Sequence, residues 1–356
     1  MQDADKEPIK GRGAQSKPHN PFLKQQFVEE HIEGIDEPKG LSQKTQYFIE
    51  APKKIINKIS SPDLNLVYSM NPYQGCEHGC VYCYARNSHT YWGFDAGMDF
   101  ESKIIVKKNA AEVFEKQLMN PKWEVLPIML SGNTDCYQPV ERKFQLTRKI
   151  LEVALKFKQP ISIITKNSMV TRDIDILSEM AKENLIHVNL SITSLSEETR
   201  LALEPRTASG LKRLKTLEAL AKNGIPVRVM AAPIIPGLNS HEIPAILKAA
   251  SEHGAKGASY IIVRLNGQVG LIFTDWIKKT FPDKADKVLH QIQSCHGGSL
   301  NDSRFGTRMK GEGKEAEAIA SLFKISYLKY FKNQSIPPLN TSAFKRPGST
   351  EQLSLF

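Results

Sequence analysis

Three of the five cysteines in this 356-residue chain fall within the run Cys76-Glu77-His78-Gly79-Cys80-Val81-Tyr82-Cys83. The spacing C-x3-C-x2-C puts three thiolates in one tight loop, where they can share a metal centre. A closed structural zinc site wants four protein ligands. A four-iron cluster has four irons to ligate, usually by four cysteines. Three ligands therefore leave one position open, and an open position is where chemistry can happen. Gly75 and Gly79 give the backbone freedom to wrap a bulky group. Tyr82 and Tyr84 place aromatic rings on either side of the last cysteine. A competing arrangement is a zinc knuckle with His78 as fourth ligand, although the flanks supply no second half of the usual zinc spacing.

The elements that must position this loop follow from the alternation of apolar runs. Strand patterns cover 64–68, leading into the cysteine loop, and then 104–106, 125–130, 161–165, 187–192, 227–232 and 258–265. Pro127 argues against a fully bonded central strand at 125–130. Helical spacing over 110–119, 141–157, 171–183, 211–222 and 240–253 separates these strands. Strand–helix alternation with short links argues for parallel β/α architecture. The count suits a partial (β/α)6 TIM-type barrel over 64–270. Residues 1–63 read as an extended N-terminal arm, pinned by Phe22, Phe27, Tyr47, Phe48 and Ile49. Residues 271–333 read as a mostly helical C-terminal extension, and 334–356 as a loose tail.

In parallel β/α barrels the reactive groups sit at the C-terminal ends of the strands. Ser131-Gly132-Asn133-Thr134-Asp135, Thr165-Lys166-Asn167, Asn189-Leu190-Ser191-Ile192-Thr193 and Ala231-Ala232-Pro233-Ile234 all fall there. Alternation points Asn189, Ser191 and Thr193 to one side, the lumen. Each string also has a plainer reading: a polar turn capping a strand, a solvated lysine, polar filling of the lumen, or a core strand entering a Pro-Gly turn.

Forty per cent of the residues are apolar, enough for a sizeable core, and the net charge is +10. A pI near 9.2 favours an anionic partner, with DNA or RNA the first candidate and a phosphorylated small molecule the second. Five cysteines with three clustered do not make a disulfide framework. Thiols that must stay reduced suit a cytosol. The first residues lack the apolar core of a signal peptide, and no apolar run is long enough to span a bilayer. A cytoplasmic protein without a membrane partner is expected; the oligomeric state is not legible.

The cysteine spacing with an aromatic residue before the third cysteine resembles the signature of radical S-adenosylmethionine (radical SAM) enzymes. The longer string, from Asn71-Pro72-Tyr73 to Tyr84-Ala85-Arg86, resembles the branch related to spore photoproduct lyase. The resemblance covers roughly 64–265 and is specific at the cysteine loop. It implies a [4Fe-4S] cluster on Cys76, Cys80 and Cys83, with S-adenosylmethionine chelating the fourth iron. An electron from the cluster would cleave the cofactor, and the resulting 5′-deoxyadenosyl radical would abstract hydrogen from substrate. A donor such as flavodoxin or ferredoxin would supply the electron. The same resemblance places Tyr82 among the cofactor contacts and sets Thr134 and Asp135 against the methionine amino group. It gives Lys166 the cofactor carboxylate, makes Ser191 a cofactor contact, and lays Ala232 and Ile234 against the adenine. Arg206, in Glu204-Pro205-Arg206-Thr207, would hold the carboxylate or a substrate phosphate by its fork of donors, or pair with Glu204.

One departure matters. Spore photoproduct lyase has a hydrogen-donor cysteine where this chain places Gly132, with Cys136 a few residues on. The cofactor chemistry carries over, whereas the reaction on thymine dimers does not follow. The expectation is a radical SAM enzyme whose substrate is unread, a nucleic-acid lesion coming first. Lys212, Arg213, Lys215 and Lys222 on one helix would face phosphates. Two other classes compete: a non-catalytic iron–sulfur or zinc nucleic-acid-binding module, and a radical SAM enzyme modifying a protein or small molecule.

Overall fold

A computed structural model of the chain describes residues 11–22, 44–64 and 67–347. Among them the strands are β1 (Gln46–Glu50), β2 (Ile56–Lys58), β3 (Tyr68–Met70), β4 (Tyr73–Gln74), β5 (Lys103–Lys107), β6 (Ile128–Leu130), β7 (Ile161–Thr165), β8 (Ile186–Ser191), β9 (Val227–Ile234) and β10 (Ala258–Ile262). The larger sheet has the order β10-β9-β8-β7-β6-β3-β2. Strands β3, β6, β7, β8, β9 and β10 pair parallel in that succession, and β2 adds antiparallel on β3. Successive parallel neighbours joined by helices are what short crossovers require.

The strands carry the period of two that separates their faces. Ile161, Ile163, Val188, Leu190, Val227 and Val229 are fully buried. The alternate residues Ser162, Ile164, Asn189, Ser191, Arg228 and Met230 line an interior cavity instead. Helices Leu146–Phe157, Ile174–Lys182, Gly210–Lys222 and Ile243–Glu252 form the crossovers. Their apolar stripes, such as Ile150, Leu151 and Ala154 or Ile246, Leu247 and Ala250, complete the core. Ser209 fixes the start of one crossover by accepting from the Lys212 N–H, the usual role of an N-cap hydroxyl.

The structure departs from the sequence expectations at several places. The first strand is Tyr68–Met70 rather than 64–68, and residues 65 and 66 lie outside the described residues. Pro127 confines the next strand of the larger sheet to Ile128–Leu130. The helix expected over 141–157 breaks at Gln145, whose φ of 52° is left-handed. The buried Glu141 carboxylate explains the break, because it accepts from the Thr147 N–H at 3.0 Å and so starts a new helix. The 104–106 strand exists but belongs to a separate sheet of order β1-β5-β4. The N-terminal arm supplies β1, parallel to β5, and Ile104 and Val106 pack against Tyr73.

Residues 11–22 also lie on the domain, with the Phe22 ring stacked 4.9 Å from Tyr91; Phe27 is outside the described residues. The C-terminal extension is helical over Gln268–Thr280, Pro282–Cys295 and Gly313–Phe331. The tail read as loose from 334 is held at several points as far as 347. Asn340 N–H donates to the Asn184 carbonyl at 2.9 Å and Lys345 N–H to the Phe157 carbonyl at 3.0 Å. No helix among the described residues is long and apolar enough to cross a membrane.

Candidate active site

The C-terminal ends of the parallel strands open into one cavity of about 760 Å³. Cys76, Cys80 and Cys83 line it, together with Tyr82, Thr134, Asp135, Lys166, Ser191 and Ala232. These residues come from the cysteine loop and from the ends of β6, β7, β8 and β9. The structure therefore brings together nine of the ten residues singled out from the sequence.

The cysteine loop is built to hold its shape. Gly75 and Gly79 have φ of +79° and +68°, where a side chain would be strained. A Cβ on Gly79 would also stand 2.9 Å from the Glu101 carboxylate. Glu101 is buried and accepts from Arg86 Nη2 at 2.6 Å, Ala14 N–H at 2.7 Å and Gly13 N–H at 3.2 Å. Arg86 in turn donates from Nε to the Cys80 carbonyl at 2.9 Å. Gly13 presses directly on the loop, for a Cβ there would lie 1.7 Å from the Gly79 carbonyl oxygen. The arm is thus a wall of the loop.

A second buried carboxylate, Glu204, braces the opposite side. It accepts from the Tyr82 hydroxyl and from Arg213, from the Thr193 hydroxyl at 2.5 Å and from the Thr207 hydroxyl at 3.3 Å. Burial opposes its ionisation, but Arg213, Lys166 and the hydroxyl donors bring its pKa down to about 2. This corrects the expected Glu204–Arg206 pair. Arg206 points away from the cavity, donating from Nε to the Gly11 carbonyl at 3.0 Å while its own N–H holds the His78 carbonyl. Arg213 is buried, so it is not one of a row of phosphate-facing cations; Lys222 on the same helix pairs with Glu218 at 2.5 Å.

Asp135 lines the cavity but has its acceptor capacity filled. It takes the Thr165 hydroxyl at 2.8 Å, the Lys166 N–H at 2.8 Å and the Tyr137 N–H at 2.9 Å, and stands 3.3 Å from His78 Nδ1. Burial pushes its pKa up, yet His78 and these donors bring it down to about 2. His78 is buried between Asp135 and Asn167, whose amide lies 3.2 Å from Nε2. Both ring nitrogens face partners other than a metal, which disfavours the zinc knuckle and makes His78 a positioning residue. Thr134 Oγ1 donates to the Tyr73 carbonyl at 2.5 Å, pinning the β6 end to the loop's approach.

Lys166 contrasts with Asp135. Its ammonium forms no hydrogen bond or ion pair among the described residues and lies 5.9 Å from the Tyr82 ring centroid. Burial lowers its pKa, but attraction to Cys80 and Glu204 outweighs this and holds it above the ordinary value. A cation kept charged and unpaired inside a cavity is a site for an anionic group. Cys136 packs in the core away from the cavity, while Gly132 lines it. Thr193 turns aside to Glu204 and to the Ala232 carbonyl.

Three sulfur ligands at one end of a cavity fit an iron–sulfur group better than a single ion. Among the described residues no three His, Cys, Asp or Glu side chains converge closely enough to hold one metal ion. A cluster asks something different, since each thiolate holds a separate iron. None of the cysteines is in a disulfide. Burial pushes the Cys76 thiol up, and the Cys80 thiol up to about 12. Such thiols become thiolates only with a compensating positive centre.

The structure gathers three cysteines and an unpaired lysine at the C-terminal edge of a parallel α/β sheet, the edge where β/α enzymes carry their reactive groups. The Radical SAM superfamily model matches residues 70–250, and the chain belongs to that family of enzymes. An uncharacterised protein of Mycobacterium tuberculosis is 30% identical over 234 residues, covering 65% of this chain and 69% of the relative. One from Methanocaldococcus jannaschii is 33% identical over 186 residues, covering 52% and 66%. The fold is similar to that of spore photoproduct lyase. A mutant of that enzyme with bound AdoMet and dinucleoside spore photoproduct superposes with a TM-score of 0.58 at 15% identity, over 80% of this chain and 79% of that one.

Sequence reasoning did not place three cationic lining residues at the site: Arg228, Arg264 and Arg308. Arg264 stands two residues past the end of β10 and could have been found by the rule that singled out Lys166. Reading 258–265 as strand throughout hid it.

Proposed function

We propose that the chain binds a [4Fe-4S] cluster through Cys76, Cys80 and Cys83 and uses it with S-adenosylmethionine to abstract hydrogen from a substrate. The observation that carries this reading is the opening of all three cysteines and the unpaired Lys166 into one cavity. When bound, the cluster supplies the electron that cleaves the cofactor's carbon–sulfur bond and so gives the 5′-deoxyadenosyl radical. The residues of the chain bind, orient and exclude. Lys166 takes the cofactor carboxylate, Ser191 and the backbone near Ala232 hold the adenosyl half, and the β6 end near Thr134 receives the amino group. Tyr82, held by Glu204, walls the space beside the cysteines and keeps water from the radical. Asp135 acts on this site through His78 and the Lys166 backbone. The six parallel strands would curve as a partial (β/α)6 barrel around that space.

A nucleic-acid lesion is the substrate class we favour, from the net charge of +10 and the dinucleoside bound by the spore photoproduct lyase structure. Flavodoxin or ferredoxin would supply the electron, in the cytoplasm. The test is anaerobic: reconstitute with iron and sulfide, reduce with dithionite, add S-adenosylmethionine and assay 5′-deoxyadenosine. Formation that depends on each cysteine supports the proposal. Tightly bound zinc without cluster or cleavage would replace it with a binding module.

A further inference from the structure

The cavity lining carries four cationic side chains, Lys166, Arg228, Arg264 and Arg308, against one carboxylate, Asp135. Asp135 is already occupied by its hydrogen-bond donors and His78. S-adenosylmethionine offers one carboxylate, which Lys166 accounts for, and its ammonium and sulfonium add positive charge. The arginines therefore have no counter-charge in the cofactor.

Arg264 is the most telling of them. It makes no hydrogen bond or ion pair among the described residues. Its backbone is nonetheless fixed on both sides: Val263 N–H donates to the Ile234 carbonyl at 2.8 Å and Leu265 N–H to the Leu300 carbonyl at 2.9 Å. His296 Nε2 also meets the Val263 carbonyl at 2.7 Å. The chain thus places on the cavity wall a half-buried guanidinium with no hydrogen-bond partner among the described residues.

Arg308 stands beside it and is held rigidly. Its Nε donates to Asp63, its Nη2 to the Ser61 hydroxyl at 2.5 Å, and its guanidinium lies 4.4 Å from the Phe305 ring centroid. Asp63 forms its ion pair with Arg308, whereas it and Asp302 act on Arg264 only through space, with no ion pair. Burial first, then the charge of Arg308, lowers the pKa of Arg264. Arg308 keeps Nη1, and Arg264 its whole guanidinium fork, free of hydrogen bonds among the described residues, and such neighbouring donors match the oxygens of a phosphate.

We propose that Arg264 and Arg308 form a binding site for a phosphate group of the substrate, on the β10 side of the cavity. This rests on the radical SAM reading above and names the chemistry of its substrate. The phosphate could belong to a nucleic-acid strand or to a phosphorylated small molecule. Tyr84, which lines the cavity, and the exposed Phe305 add aromatic surface on which a base would stack.

The test uses the full-length protein reconstituted anaerobically. One arm measures anisotropy of a fluorescein-labelled oligothymidylate at increasing salt. The other measures thymidine 5′-monophosphate by calorimetry. Arg264→Gln should weaken the probe that binds by roughly tenfold and, for the oligonucleotide, lower the salt slope by about 0.7. Arg264→Lys should recover part of the loss, and Lys324→Gln, exposed on the last helix, should change neither. Binding of the oligonucleotide alone identifies a nucleic-acid source, and binding of the monophosphate identifies a small one. Phenylglyoxal labelling of the unaltered protein gives a check that needs no variant: peptide mapping should find Arg264 modified in the free protein and protected by the bound probe. The proposal is overturned if neither probe binds at about 50 mM salt, if Arg264→Gln binds as the unaltered protein does, or if Arg264 is not protected. Formation of 5′-deoxyadenosine by the unaltered protein decides the underlying reading separately, so either can fail alone.

Discussion

Replacing Glu204 by glutamine would keep the shape of the side chain and remove its charge. The carboxylate is fully buried with Arg213 beside it and three hydroxyls donating to it. Its pKa is held at about 2 against the ordinary 4.5, a separation equivalent to about 3 kcal/mol of native-state stability at neutral pH. Breaking a buried ion pair from one side costs about 3–5 kcal/mol, so the two routes agree. Against a total stability of about 5–15 kcal/mol, Glu204→Gln should be severe but measurable by urea unfolding of the metal-free protein. The sign with pH follows from the depressed pKa. The contribution is complete above the unfolded value of 4.5 and is lost as pH falls towards 2. Between pH 7 and pH 3.5 the gap between the two proteins should therefore narrow, by about 1 kcal/mol. A gap under about 1 kcal/mol at pH 7, or one that does not narrow, would refute the assignment of Glu204 as a charged brace.

Alanine at Cys76, Cys80 or Cys83 should each reduce reconstituted iron from about four atoms per chain to near none, as measured by colorimetric iron and absorbance; a variant that keeps its iron removes that cysteine from the ligand set. Gly13→Val places a side chain where a Cβ alone would be 1.7 Å from the Gly79 carbonyl. The arm should lift, exposing residues 11–22 to limited proteolysis, and an unchanged digestion pattern would contradict the seating of Gly13 on the loop. Gln145→Gly should stabilise by roughly 0.5–1 kcal/mol, because glycine accepts the φ of 52° without a Cβ penalty; a lower melting temperature would show that the glutamine side chain matters more than its backbone.

What could be read from the sequence was what is local. The strands β7, β8 and β9 are runs of β-branched and apolar residues with clear ends, and Lys166, Ser191 and Ala232 stand at or beside those ends. The cysteine loop is legible because all its ligands lie in one run. Partner choice across long separations was not. Ile104-Ile105-Val106 reads as a strand, but nothing in it says that its neighbour is Gln46–Glu50 from the arm. Glu204 was paired with the nearest arginine, Arg206, whereas burial selects Arg213 on the following helix. Glu101 carries no signal at all, since its partners lie 15, 87 and 88 residues away.

Those long-range partners bear on how the site works. Glu101 fixes the arm side of the cysteine loop through Arg86 and the Cys80 carbonyl, and Glu204 fixes the other side through Tyr82. Val81 N–H, between them, donates to the Leu203 carbonyl at 3.1 Å. The braces are protein groups, so the loop's shape does not depend on what the thiols bind. A ligand set held in advance loses little freedom on binding, and a rigid wall limits water entering beside Cys80. Both buried carboxylates face cations, and this leaves Lys166 and Arg264 as positive charges without an ion pair among the described residues, both lining the cavity. Its walls are therefore fixed by satisfied ion pairs, while the charges left unsatisfied select an anion.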